Sequence, residues 1–452
     1  MLPSKPPQTR IKGLSGWGRY PRTDQTVERP EKASQLGLHD GTSLARGQGR
    51  SYGDAALNSD GHVILTERLN RFLEFDSETG MLKVEAGATL KEILDAMVPK
   101  GWFLPVTPGT KFSSVGGCVA ADVHGKNHHV DGSFGEHVAS LDMVLADGSR
   151  VTCSPTDLSD VFWATVGGMG LTGIIESATF KMQPIETAYV KVKHRKAGNL
   201  DTAFNVLDDD KYDDRYSVCW IDCLARGSKM GRSVLITGHH ASRAEVPLMS
   251  HAPLEVKQKR VKTFKRDWPR FVLNPWTIRM FNGRYYRREG RRGEFRTDYD
   301  SFFYPLDRYN DWNKMYGKRG FVQYQFVVPR DQAREGIRKA IDMLSKSRRA
   351  SFLAVLKRMG PPSQGMLSFP MDGYTLALDI PLTNDLTDFL KKLDEVVLQH
   401  KGRVYLAKDS RVPAETFRKM YPRLDEFLAV KRSVDPHNRF TSDMARRLEI
   451  AP

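Results

Sequence analysis

Arg46-Gly-Gln-Gly-Arg-Ser-Tyr-Gly-Asp54 lies beside a β-rich apolar run and is the first of three glycine-rich stretches within the first 175 residues. The second runs from Thr107-Pro-Gly-Thr110 into Gly116-Gly-Cys-Val-Ala-Ala-Asp-Val-His-Gly125, and the third is Thr165-Val-Gly-Gly-Met-Gly-Leu-Thr-Gly173. Glycine lets bare backbone N–H groups converge on an anion, and it fits where a side chain would collide with a ligand. None of the three is followed by the Lys-Ser/Thr of a P-loop. Three such turns in series point to one long phosphate-bearing cofactor threaded between them, and so to a dinucleotide enzyme.

Outward from these turns, the chain has 452 residues, too many for one ordinary core, so two domains are expected. Its 40% apolar and 10% aromatic content is that of a folded globular protein. No apolar run reaches the roughly 18 to 20 residues that span a bilayer. The start, Met1-Leu-Pro-Ser-Lys-Pro-Pro-Gln-Thr-Arg10, lacks the apolar stretch of a secretory signal. The expected location is therefore cytoplasmic, peripheral at the inner membrane. Cys118, Cys153, Cys219 and Cys223 are too few and too scattered for a disulfide framework, and read as buried small hydrophobes.

The net charge of +15 is concentrated. From Lys257 to Arg296 there are 14 Lys or Arg against 3 Asp or Glu, interleaved with Trp268, Phe271, Trp276, Phe281, Tyr285 and Tyr286. Basic residues mixed with amphipathic rings suit a surface of anionic headgroups. A mobile solvated loop is the plain alternative. No nucleic-acid-binding motif accompanies the segment, so a nucleic-acid partner is not expected.

The pattern predicts α+β architecture. Strands are expected at Val63–Leu65, Leu82–Ala86 and Ile174–Met182, and helices at 89–98, with Thr89 as N-cap, and at 155–164. After Pro184 the alternation at 189–193, 216–221 and 321–328 predicts an antiparallel sheet with one polar face. Helices are expected at 331–347 and 385–400, then a strand at 404–408 ending on Lys408. This divides the chain into a cofactor domain (1–185), a substrate domain (186–400) with the basic aromatic insertion at 257–296, and a C-terminal segment (401–452) that returns to the first domain.

Taken in order, the glycine stretches and the ending Asp435-Pro-His-Asn-Arg-Phe-Thr-Ser-Asp443 resemble flavin oxidoreductases of the vanillyl-alcohol-oxidase (PCMH-type FAD-binding) superfamily. Asp122–His129, Phe162–Gly168, Phe321–Phe326, Ala407–Ser410 and Ser442–Leu448 are closer to its decaprenylphosphoryl-β-D-ribose 2′-oxidase branch, and the resemblance covers nearly the whole chain. It implies a two-domain FAD-binding fold with an antiparallel-sheet substrate domain. It also implies that FAD is held non-covalently, although His124 occupies the position where some members attach it. By the same resemblance, Arg46, Gly47, Gln48, Gly49, Arg50, Ser51, Tyr52, Gly53, Asp54 and Ala55 hold the pyrophosphate. Gly109, Thr110, Ser114, Val115, Gly116, Gly117, Ala121, Asp122, Val123 and His124 line the flavin and ribityl chain, with Ile175 at the adenine end and Tyr405 near the ring.

On the substrate side the resemblance implies Lys126, Trp220, Tyr304, Gln323, Gln325 and Lys408, with Lys408, Tyr52, His124 and Gln325 as catalytic candidates. The implied activity is oxidation of the 2′-hydroxyl of a polyprenyl-phosphate-linked ribose, the first half of an epimerisation to an arabinose donor. A short-chain keto-reductase would complete it, and a quinone or oxygen would accept the electrons. A soluble sugar-alcohol or aldonolactone oxidase of the same fold is the alternative. One departure stands out: Thr375 and Ala377 occupy the places of the branch's Asn and Cys, which leaves sugar specificity open.

Read from the residues, a lysine after a strand becomes a usable base if its surroundings are dry. Gln323 and Gln325 alternate with Tyr324 and Phe326, so both amides share one face, either binding sugar hydroxyls or solvated. His128 and His129 lack the carboxylate or thiol that would complete a metal shell, and no metal is expected.

Overall fold

Ser43–Arg46 and His62–Leu65 pair in parallel, and the chain between them is the first glycine turn. They form half of a four-stranded sheet with Thr9–Ser15 and Arg22–Glu28. The structure is a computed structural model and describes residues 6–37, 39–209, 214–246, 252–257, 259–347, 349, 351 and 353–450. Next to the first sheet, Phe72–Phe75, Met81–Glu85, Ile174–Lys181, Val138–Val144 and Arg150–Cys153 make a five-stranded antiparallel sheet.

Two short helices pack on this second sheet. Leu90–Met97 buries Leu90, Ile93, Leu94 and Met97, and Thr89 caps it: its hydroxyl accepts the Glu92 N–H while Glu92 reaches back to the Thr89 N–H. Val115–Ala120 is capped by Ser114. The helix predicted at 155–164 begins only at Ser159. The Ser154 hydroxyl accepts the N–H groups of Thr156 and Asp157, and Leu158 takes a left-handed φ of 46°, so the chain turns there first.

The larger sheet has eight antiparallel strands, in the order Glu294–Asp298, Tyr189–Ala197, Ser233–His240, Tyr216–Ile221, Ala354–Met359, Gly373–Pro381, Phe321–Pro329 and Arg403–Val404. Helices Leu200–Asp208, Arg330–Ser347 and Leu386–Gln399 cover one face, burying Ile337, Ile341, Leu344, Leu390, Leu393 and Val397 against Phe326, Leu376 and Leu378. Each such side chain is worth about 1.5–3 kcal/mol. The other face is roofed by the glycine turns. Phe321–Val328 is therefore buried on both faces, and of the two readings of its polar face, binding or solvated, the face meets a cavity.

The strand predicted at 404–408 stops after Val404. Tyr405 N–H still donates to the Gln325 carbonyl (2.9 Å), but Lys408 and Asp409 N–H turn back onto the Tyr405 carbonyl (2.9 and 3.1 Å). The Asp409 carboxylate holds this turn by accepting the Arg411 and Val412 N–H groups (both 3.1 Å).

The last residues reach the first sheet. Ser43 N–H donates to the Arg439 carbonyl (2.7 Å), and Asp443 N–H to that of Leu57 (2.7 Å). Arg447 pairs with Asp54 (2.8 Å) and Asp409 (2.9 Å), clamping the first glycine turn to the turn that carries Lys408. In the basic segment, helix Pro275–Glu289 is capped by Asn274, and Glu294–Asp298 forms the sheet edge. Gln258 lies outside the described residues.

Candidate active site

A cavity of about 1030 Å3 runs from the glycine turns across the open face of the eight-stranded sheet. Its first half is backbone. A Cβ on Gly47 would strike the Ser114 side chain, and one on Gly116 would strike Ala86 (2.8 Å), so only glycine lets these turns close together. Gly49 has a φ of 61°, a conformation that favours glycine. The Arg50 guanidinium lies over Trp17 (4.3 Å) and Phe112 (5.2 Å), and its Nε is buried with no partner. An orphaned cationic donor beside a glycine cradle is what a pyrophosphate would satisfy, so the residues present fit a dinucleotide.

Of the expected cofactor residues, Arg46–Tyr52, Ala55, Gly109, Thr110, Ser114, Gly116, Gly117, Ala121, Val123, His124, Ile175 and Tyr405 line this cavity. Gly53, Asp54, Val115 and Asp122 do not. Gly53 lets the first turn press against the Asp409 carbonyl, Asp54 is taken by Arg447, and Val115 is fully buried in the core beneath. The Asp122 carboxylate accepts the Ser133 and Ser368 hydroxyls (2.8 and 2.6 Å) and the Gly135 N–H (2.9 Å), so it frames the second stretch from behind. Arg46 lines the cavity, but its guanidinium donates to the Ala56 and Ser15 carbonyls and so braces the turn.

The second half is side chain. Strand register places Gln325 opposite Ala377, Ala377 opposite Val355, and Val355 opposite Trp220, so one row crosses four strands. Gln323 sits opposite Asp379 and donates to it (2.5 Å). Gln325 donates to the Thr375 hydroxyl (3.1 Å), which itself donates to the Phe326 carbonyl (2.9 Å). Its other N–H meets His124 Nε2 (2.9 Å). On the other side of the ring, His124 Nδ1 lies 3.0 Å from Lys357 Nζ. Tyr304 is an exception among the expected substrate residues: fully buried, it is bonded to the Thr107 hydroxyl (2.6 Å) behind the wall.

Three lysines converge on this half. Lys408 lies 3.9 Å over the Tyr52 ring, Lys357 touches His124, and Lys126 donates to the Phe302 carbonyl. Enclosure by protein pulls Lys408 down to about 8, partly offset by Asp379. It pulls Lys357 down to about 7, helped by Lys408, and Lys126 to about 7, helped by Lys357. The same burial pushes the Asp379 carboxyl up to about 7 and keeps His124 neutral. The result is an enclosed, lysine-rich chamber in which burial and mutual repulsion favour the free amines.

Lys357 and Asp379 enter this network without having been singled out, and Thr375, noted only as a departure from the branch, joins it as the partner of Gln325. In Ala354–Met359 the alternation puts Lys357 on the face of Val355, a weak signal that gains meaning only from the opposing strand. His128 and His129 lie in a short helix. His128 Nδ1 accepts the Gly360 N–H (3.0 Å), and His129 Nε2 contacts the Asp214 carbonyl (3.1 Å). Cys219 and Cys223 are buried free thiols.

Comparison with known proteins agrees with this geometry. Residues 38–154 match the model of the FAD binding domain, and residues 314–448 match that of D-arabinono-1,4-lactone oxidase. The chain is 41% identical to decaprenylphosphoryl-beta-D-ribose oxidase of Mycolicibacterium smegmatis, over 98% of both chains.

The chain belongs to the decaprenylphosphoryl-beta-D-ribose oxidase family.

It is also 34% identical to an uncharacterized Streptomyces coelicolor protein over 80% of this chain and all of that one. It is 22% identical to L-gulono-1,4-lactone dehydrogenase of Mycobacterium tuberculosis over 89% of both. The protein is thus an FAD-dependent oxidoreductase with the α+β fold of that family. Among the described residues, no helix is long and apolar enough to cross a membrane.

Proposed function

We propose that this chain oxidises the 2′-hydroxyl of a polyprenyl-phosphate-linked ribose to the 2′-keto sugar. The observation that carries the reading is the convergence of Lys126, Lys357 and Lys408 with two buried amides on one cavity, in a chain similar end to end to an enzyme named for that substrate. Bound FAD supplies the acceptor for the hydride that leaves the carbon. Lys408, as its free amine, takes the hydroxyl proton. Gln323 and Gln325 bind the sugar hydroxyls, oriented by Asp379 and Thr375. Lys126 and Lys357 face the phosphate, and Tyr52 shields the amine from water. Both ring nitrogens of His124 are occupied by protein partners, which supports non-covalent FAD.

The same reading divides the chain at 185 and 400, and the contacts of Arg439, Asp443 and Arg447 with the first sheet support the returning C-terminal segment. It also sets Phe271, Trp276, Met280 and Phe281, all exposed beside basic residues, against an anionic membrane surface. A keto-reductase consumes the product, and a quinone or oxygen takes the electrons.

The test is anaerobic mixing of the yellow holoenzyme with decaprenylphosphoryl ribose, and separately with gulonolactone and xylitol, following flavin absorbance near about 450 nm. Bleaching by the lipid-linked sugar alone is the expected result. Bleaching by the free compounds alone moves the chain to the lactone oxidases, a reading favoured by the match over residues 314–448.

A further inference from the structure

The cavity extends beyond what a dinucleotide and a pentose would use. Past Lys126 it continues over the outer strands of the large sheet. The Lys126 carbonyl accepts the Ser217 N–H (2.8 Å), which joins the cationic chamber to strand Tyr216–Ile221. From there Val218 lies opposite Ile236, and Ile236 opposite His194, while Val192 lies opposite Phe295. All of these side chains line the cavity. Helix Pro275–Glu289 closes the arm from above, where Tyr285 packs on Trp220 with ring centroids 4.5 Å apart. At its rim stand the exposed Arg288 and Arg292, both paired with the buried Glu289.

A floor of Val192, Val218, Ile236 and Phe295, entered from a chamber of three lysines, matches a chain that is anionic at its head and hydrocarbon beyond it. Resting on the function proposed above, we infer that this outer arm is the subsite for the first isoprene units of the lipid tail, with the phosphate held at Lys126. Charge complementarity and continuity with the sugar chamber select this occupant. The aromatic helix is then the wall that guides the tail from the exposed Trp276 and Met280 towards the sugar site.

The test compares the wild-type holoenzyme with Ile236→Asp, Ile236→Leu and the milder, near-isosteric Val218→Thr, each checked for wild-type flavin content. With decaprenylphosphoryl ribose, Ile236→Asp is expected to raise KM on the order of 10- to 100-fold with kcat little changed. Val218→Thr should raise it a few-fold, and Ile236→Leu should leave it alone. With methylphosphoryl ribose, which has no isoprene, all four proteins should share one KM. Binding of farnesyl phosphate, a tail without a sugar, is titrated in parallel and should weaken in the same order.

Equal KM changes for both substrates, or farnesyl phosphate binding that none of the substitutions weakens, would overturn the subsite. If no phosphoryl ribose bleaches the flavin but farnesyl phosphate binding still depends on Ile236, the subsite stands and the sugar assignment falls. If the lipid-linked ribose bleaches it while farnesyl phosphate binds nowhere, the reverse holds.

Discussion

One half of the cavity is walled by backbone, from Gly47, Gly49, Gly109, Gly116 and Gly117, and the other by side chains, Gln323, Gln325 and Lys357 on the large sheet and Lys408 on the turn after it. The first half recognises by close approach: its donors are peptide groups on turns that come together only where glycine leaves room for Ser114 and Ala86. The second recognises by charge and amide geometry, and every member depends on a partner far away in the chain. Gln325 is held by Thr375, His124 by Lys357, and the Lys408 turn by Arg447 through Asp409. A fault in the first half should cost the cofactor. A fault in the second should cost the reaction while the protein stays yellow.

The strongest way to break this contrast is Lys408→Met. Loss of the proton acceptor should slow flavin reduction on the order of 10²- to 10⁴-fold in anaerobic stopped-flow, with FAD still bound. A colourless variant would show that Lys408 belongs to the cofactor half. The mirror experiment is Gly116→Val, whose new methyls would meet Ala86. It should purify with little flavin, and a fully loaded variant would deny that close approach is what holds the cofactor.

A third experiment sharpens the electrostatics. Burial lowers the Lys408 pKa to about 8, and the lysine must be a free amine to act, so reduction should speed up as pH rises through that value. Asp379 stabilises the ammonium form. Asp379→Asn should therefore lower the lysine's pKa and move the rising limb of the pH–rate profile to lower pH. A limb that stays put, or moves up, would separate Lys408 from the titration.

Smaller effects follow. Thr375→Val removes the hydroxyl between Gln325 and the Phe326 carbonyl, and should cost about 1 kcal/mol, roughly fivefold in kcat/KM, with no change in flavin content. Thr89→Ala loses the cap of helix Leu90–Met97. It should lower stability by about 1 kcal/mol and Tm by about 2 °C, with kinetics unchanged.

The first half was legible because local chemistry decides it. Glycine spacing, the Thr89 cap and the stripes of the two long helices act over three to eight residues, and the elements formed where the pattern put them. The 155–164 helix misled because Ser154 offered its hydroxyl to the backbone and the turn won. The second half was legible in its residue types and not in its surroundings. Gln323 and Gln325 read equally as a wet face or a binding face, because alternation says which side chains share a side and nothing about what covers that side. Lys357 was missed because a lysine in a short strand looks solvated until the roof is in place.

The residues alone thus determined a glycine cradle for a dinucleotide, an α+β chain and an antiparallel sheet carrying amides on one face, and the family resemblance made that dinucleotide FAD. Only the tertiary structure decided that this face is dry, that Lys126, Lys357 and Lys408 share one chamber, and that Thr375 and Lys357 set the direction of Gln325 and His124. The reason is that desolvation and Coulomb coupling depend on distances through space, and those distances are set by strand register and by the packing of the glycine turns over the large sheet.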